Sequence, residues 1–200
     1  MITDVDILRS LYGPVGERSA KKQLDHLDPH CRRFVALSPL VLLASHGSDG
    51  LADVTPRGDA PGFVAIEDDR TLLIPDRPGN NRLDSLLNIL GNPGVGLLFL
   101  VPGVDETLRV NGLAEIHADA GLCARFAVDG RVPKTVLRIS VREAYLHCAK
   151  ALMRSHLWDP ERRIDRSTLP SMGEMLKDQL KLASAESQDE MLVRYRRTLY

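Results

Sequence analysis

Aromatic side chains are scarce in this chain: one Trp, four Tyr and four Phe, 4% of 200 residues. That scarcity excludes a platform of rings on which nucleic-acid bases could stack. Charge of one sign is also lacking. The 26 Lys and Arg nearly balance 27 Asp and Glu, for a net charge of -1, and no run of like charges occurs. Neither nucleic acid nor an anionic membrane surface is therefore indicated as a partner. The three cysteines (Cys31, Cys123, Cys148) form no C-x-x-C pair and leave one over in any disulfide scheme, which favours a reduced, cytoplasmic setting. No apolar run approaches membrane-spanning length. Asp4 and Asp6 stand where a signal peptide would carry basic residues and an apolar run. The chain reads as soluble and intracellular.

What is present suits one globular domain, with 44% apolar and 26% charged residues. The expected layout is N-terminal helices over 1–34, a β core over 35–150, and a loop with helices over 151–200. A helix over 3–12 follows a Thr3 or Asp4 cap, and a second spans Ser19 to Leu27, carrying Leu24 and Leu27. Asp28-Pro29 then breaks or restarts it. His26 and His30 stand four apart, but the Asp-Pro break separates them and no third ligand follows, so no metal site is expected.

Leu40 to Ser45, the turn His46–Gly50 and Leu51 to Thr55 predict a hairpin. From Thr55 to Gly62 breakers crowd together, which predicts irregular backbone with amides free to face a ligand. Phe63 to Ile66 and Thr71 to Ile74 predict a second hairpin. Further strands are expected at Gly94–Val101, Glu106–Ile116 and Thr135–Cys148. In the second of these, Arg109 and Asn111 fall on the face opposite Leu108 and Val110. Asp119 caps a short helix, and Ser171-x-x-Glu174 and Ser187-x-x-Glu190 are capping boxes. Six or seven short strands with one inserted helix predict a small antiparallel barrel.

That inserted helix, Pro75 to Pro93, is the most informative stretch. Asn80 and Asn81 can cap it; Leu83, Leu86, Leu87 and Leu90 mark one face, and Gly91-Asn92-Pro93 ends it. A helix start favours an anion, and Arg77 and Arg82 bracket this one with guanidinium forks that match phosphate oxygens. Two assignments stay open for the stretch alone, a phosphate seat or an ordinary cap flanked by solvated arginines. A second loaded stretch, His147 to Pro160, holds the only tryptophan, Trp158, with Lys150 and Arg154 on one helical face.

These pieces come in a recognisable order: the hairpin, Thr55-Pro56-Arg57-Gly58-Asp59, Asn80-Asn81-Arg82, the strand with Arg109 and Asn111, and His147-Cys148-x-Lys150-Ala151-Leu152-x-Arg154-Ser155-x-Leu157-Trp158. Over roughly residues 30 to 160 the chain resembles the flavin-binding split-barrel family typified by pyridoxamine 5'-phosphate oxidase, in its branch of FMN-dependent enzymes without assigned substrates. The resemblance implies a mainly β fold, a six- to seven-stranded antiparallel split barrel with helical extensions at both ends. It implies a homodimer with FMN at the subunit interface and a small-molecule substrate. Arg77, Asn81, Arg82 and Ser85 would seat the phosphate. Thr55, Arg57, Gly58 and Asp59 would run along the flavin ring, and Arg109 and Asn111 would also belong to the cofactor site. Lys150, Arg154, Ser155 and Trp158 would come from the partner subunit.

The chain departs from the oxidases proper in two places. It ends in helices, with no match for the arginine and histidine that hold the B6 phosphate there, so a B6 vitamer is not the expected substrate. Its helix start reads Asn-Asn-Arg where the oxidases carry Ser-Arg-Lys. The expected function is an FMN-dependent oxidoreductase in which the flavin supplies the hydride chemistry. The alternative is a non-catalytic flavin- or tetrapyrrole-binding protein with His147 or His156 as axial ligand. No catalytic acid or base stands out.

Overall fold

The computed structural model describes residues 1–200. Seven strands, β1 (Leu40–His46), β2 (Ala52–Gly58), β3 (Ala65–Asp68), β4 (Thr71–Pro75), β5 (Gly94–Leu100), β6 (Thr107–His117) and β7 (Val136–His147), form one sheet in the order β2-β1-β5-β6-β7-β4-β3. Every pairing is antiparallel, and β2 and β3 are its open edges. Inward residues of both halves, among them Leu43, Leu72, Leu97, Phe99, Val110 and Ile139, pack into one core cluster. The sheet must curl around them for this to happen, which gives a split barrel. Each such side chain taken from water is worth roughly 1.5–3 kcal/mol.

Helices fill the gaps. In α3 (Pro29–Leu37), Asp28 accepts from the Cys31 N–H and Pro29 occupies the first turn, so the Asp-Pro pair starts a helix. Cys31 and Val35 of α3 join the core. Between β4 and β5, α4 (Asp84–Gly91) lies against β1, β2 and β6. On the other side of β4 and β7, α5 (Ala120–Ala124) closes a small cluster of Leu73, Cys123 and Val136. No helix is long and apolar enough to cross a membrane.

The extensions contrast with this. In α1 (Val5–Tyr12), capped by Asp4, nothing is buried. The segment after it is helical only over α2 (Glu17–Lys21). Leu24 leaves the expected helix to bridge Ala144 of β7, and Leu27 inserts into the core. These two leucines serve the sheet, which outweighs the helical pattern. After β7 come α6 (Lys150–Ser155), α7 (Met172–Leu180) and α8 (Gln188–Arg197), the last two with both capping boxes formed. In α6, α7 and α8 together, only Met191 is buried.

Three local expectations are corrected. Thr55 to Gly58 is regular strand, paired with Leu43 back to Leu40. Pro56 is tolerated there because β2 is an edge, where a missing N–H leaves no rung broken on the outer side. Helix α4 begins four residues later than Asn80, after Asn81 and Leu83 both take left-handed backbone conformations (φ 58° and 62°), and no side chain caps it. Finally, α4 turns Ser85 and Ile89 inward, with Leu86 partly buried, while Leu83, Leu87 and Leu90 are exposed. Three of the four leucines of the stripe therefore face away from their own core.

Candidate functional site

Two clusters of charged side chains flank β1 and β2. The first lies where β2 meets the start of α4. Thr55 and Arg57 alternate along β2, and half-buried Arg57 donates from Nη1 to Asp76 Oδ1 at 2.6 Å. The Thr55 and Ser85 hydroxyls are 3.3 Å apart. Gly58 allows the chain to pass close to the Pro39 carbonyl, 3.3 Å from where a Cβ would stand. The next residue, Asp59, accepts from Arg77 Nε at 2.8 Å and from the Tyr200 hydroxyl at 2.6 Å. Arg77 also donates to the Phe126 carbonyl at 2.7 Å. Burial works to raise the Asp59 carboxyl. The bonds from Tyr200, the Ala60 N–H and Arg77 outweigh it, so the group lies below the usual carboxylate range.

Beside this cluster the first turn of α4 presents N–H groups with no intrahelical acceptor. Arg82 stands at its rim, largely exposed, and pairs with Asp84 at 2.8 Å. Asn81 is exposed and shapes the turn through its positive φ. Arg57, Arg77 and Arg82 thus each hold a carboxylate of their own chain. Arg57 keeps a donor in reserve, since its Nε is buried and unpaired. An unsatisfied buried donor costs about 1–3 kcal/mol.

The second cluster occupies the outer face of β6 and β7. Arg109 pairs with Glu143, lies 4.2 Å from the Tyr145 ring centroid, and leaves its own Nε buried without an acceptor. Asn111 donates to the same carboxylate at 3.4 Å, and Gln23 to its other oxygen at 3.0 Å. A β-bulge makes this arrangement possible. Asn111 pairs with Glu143 but Gly112 with Val141, so Arg142 is looped out and the period-two pattern of β7 changes phase. Gly112 is required there, because a Cβ would come within 2.5 Å of the Ser140 carbonyl. Glu143, Tyr145 and His147 consequently share the outer face. A shallow cavity of about 390 Å³ opens beside them, lined by Leu42, Ala44, Val54, Gly96, Leu98, Arg109, Asn111 and His147 among others. Burial, then the charges of Arg109 and Lys22, depress the His147 pKa, so its imidazole is neutral at neutral pH.

The third group expected from sequence stands apart from both. Lys150 and Arg154 are exposed on α6 and bond to nothing in the chain, and Ser155 donates to the Leu152 carbonyl at 3.0 Å. Half-buried Trp158 donates from Nε1 to the Val104 carbonyl at 2.9 Å. His156 is exposed in a left-handed conformation at the end of α6. Sequence reasoning missed Asp76, Glu143 and Tyr200. Two of them are ordinary acidic residues whose roles depend on pairing across strands, and Tyr200 arrives from far along the chain.

Comparison with known proteins agrees with this frame. The pyridoxamine 5'-phosphate oxidase family model matches residues 27–148. No curated protein matches the chain. Three solved structures are similar to the chain. A HupZ variant from Group A Streptococcus is 19% identical, covering 60% of this chain and 99% of its own, with TM-score 0.50. A putative pyridoxamine 5'-phosphate oxidase from Lactobacillus delbrueckii is 22% identical, over 62% of this chain and 98% of its own, with TM-score 0.48. An FMN-binding protein from Syntrophomonas wolfei is 9% identical, over 58% and 88%, with TM-score 0.46. The matched span starts at Leu27, the first core residue, and ends beside His147, and over that span the chain belongs to the pyridoxamine 5'-phosphate oxidase family of split barrels.

Proposed function

We propose that the protein binds FMN and uses it as an oxidoreductase on a small molecule, as a homodimer. One observation carries this: the buried, unpaired Nε of Arg57, two residues along β2 from Thr55, whose hydroxyl is 3.3 Å from that of Ser85 in the uncapped first turn of α4. A phosphate supplies acceptors for all of these donors. In this reading the phosphate contacts centre on Arg57, Ser85 and helix N–H groups, with the free Nη donors of Arg77 and Arg82 around them. Edge strand β2 leaves half of its main-chain groups unpaired on the outer side, suited to the polar rim of a flavin ring. When bound, FMN supplies the hydride chemistry.

Exposed apolar faces support the dimer. Leu83, Leu87 and Leu90 on α4, and Val5, Leu8, Leu11 and Tyr12 on α1, have no partner within the chain. In this reading Lys150 and Arg154, which bond to nothing in the chain, serve the second copy's cofactor, while Trp158 holds the segment to its own chain through the Val104 carbonyl. Light scattering should return twice the 22.1 kDa chain mass. The chemical test is reconstitution with FMN, followed by the visible spectrum and chromatography of the released cofactor. Bound FMN with a flavin band supports the proposal; a protein that emerges from reconstitution colourless contradicts it.

A second reading, a tetrapyrrole-binding protein, has its own observation. His147 borders the cavity as a neutral imidazole with no hydrogen-bond partner, which suits an axial ligand. A Soret band on adding haem, abolished in His147→Ala, would support it.

A further inference from the structure

The segment after α8 lies across the Asp59–Arg77 pair. The Tyr200 hydroxyl donates to Asp59, and the Tyr200 ring centroid is 5.2 Å from the Arg77 guanidinium carbon. Arg131, from the turn before β7, donates to the main-chain oxygens of Tyr200 at 2.7 Å and Arg197 at 3.2 Å. Behind these contacts α8 is seated by Met191, its one buried residue. Close to the latch the packing is thin: Leu199 is 61% exposed, and the Thr198 hydroxyl bonds only to carbonyls of its own helix. A stretch fixed at one end by packing and at the other by a few polar bonds opens at low free-energy cost.

The covering matters for access. With Tyr200 in place the Asp59 side chain is 4% exposed and that of Arg77 16%. Asp59 stands two residues after Arg57 at the end of β2, and Arg77 directly follows Asp76, the partner of Arg57, on the way from β4 to α4. We propose that residues 198–200 form a strap over this end of the site, latched by Tyr200, which lifts for a ligand to enter or leave and closes behind it. This rests on the reading that the cluster binds FMN. Tyr200 is a gate here, with no contact to the reacting atoms.

The test is Tyr200→Phe in the full chain, which keeps the ring and removes the bond to Asp59, beside Arg131→Gln, which removes the second latch. Stopped-flow flavin fluorescence should show both association and dissociation of FMN accelerating several-fold in each variant, with the equilibrium constant within about twofold of the parent. Unchanged rates would overturn the strap. So would faster dissociation alone with a matching loss of affinity, because Tyr200 would then be a ligand contact. A second readout needs no ligand. Trypsin cleavage after Arg196 and Arg197 of the apo-protein should speed up several-fold when the latch is cut, and an unaltered rate would contradict the strap. If FMN binds neither parent nor variant, the cofactor reading fails while the cleavage assay still decides the strap.

Discussion

The helix-start cluster and the sheet-face cluster are built from the same parts and do different things. Each has an arginine paired to a carboxylate, Arg57 with Asp76 and Arg109 with Glu143, and each arginine leaves its Nε buried and unpaired. Around Arg57 stand hydroxyls, further arginines and a helix start. Around Arg109 stand leucine, valine and alanine side chains, a cavity and a neutral histidine. The first environment suits a compact anion and the second a flat, mostly apolar group. An arginine alone therefore says little about its ligand, and the neighbours decide.

Breaking the helix-start side should have the largest effect. Arg57→Gln removes the free donor and should weaken FMN by about 1.5–3 kcal/mol, roughly 10- to 150-fold, while leaving riboflavin nearly untouched. Isothermal titration with both ligands measures it. On the sheet face, Arg109→Gln should weaken FMN and riboflavin alike, by about 0.5–1.5 kcal/mol, since no phosphate selectivity resides there. The same variant should raise the His147 pKa, because Arg109 is one of the charges holding it down, and histidine NMR reads this directly. Equal loss for both ligands in Arg57→Gln would erase the difference between the clusters.

The rim arginine should matter least for binding. Arg82→Ala removes an exposed pair with Asp84 and should weaken FMN by no more than about fivefold. A larger loss would move the phosphate outward, to the position the sequence alone suggested.

The clusters also titrate in separate windows. His147 is depressed below its usual 6.5, so the unfolded chain binds more protons there, and stability falls as pH drops from about that value through the folded pKa. Asp59 is depressed below 3.8, so its contribution is intact above that value and is lost in the acid range beneath it. Thermal melts against pH should show two steps, and His147→Gln should remove only the upper one.

Much of this was legible in the sequence. The hairpins carry their turns, α7 and α8 carry their capping boxes, and the alternation in β6 placed Arg109 and Asn111 on one face. Hidden features depended on partners far along the chain. Pro56 and Gly58 look like breakers until β1 pairs with them at an edge. Nothing local announces the bulge at Arg142, yet it decides that Glu143 faces Arg109. The α4 leucines have a helical period that tells nothing of which face meets the sheet. Tyr200 lies 141 residues from Asp59, beyond any local pattern.

The central claim is that the start of α4 and Arg57 recognise the phosphate of FMN. Its most direct test is parallel titration of apo-protein with FMN and riboflavin, which differ only in that phosphate, followed by quenching of flavin fluorescence. The account predicts FMN binding at least tenfold tighter, as charge-assisted hydrogen bonds worth about 1.5–3 kcal/mol require. Riboflavin binding as tightly as FMN would contradict it.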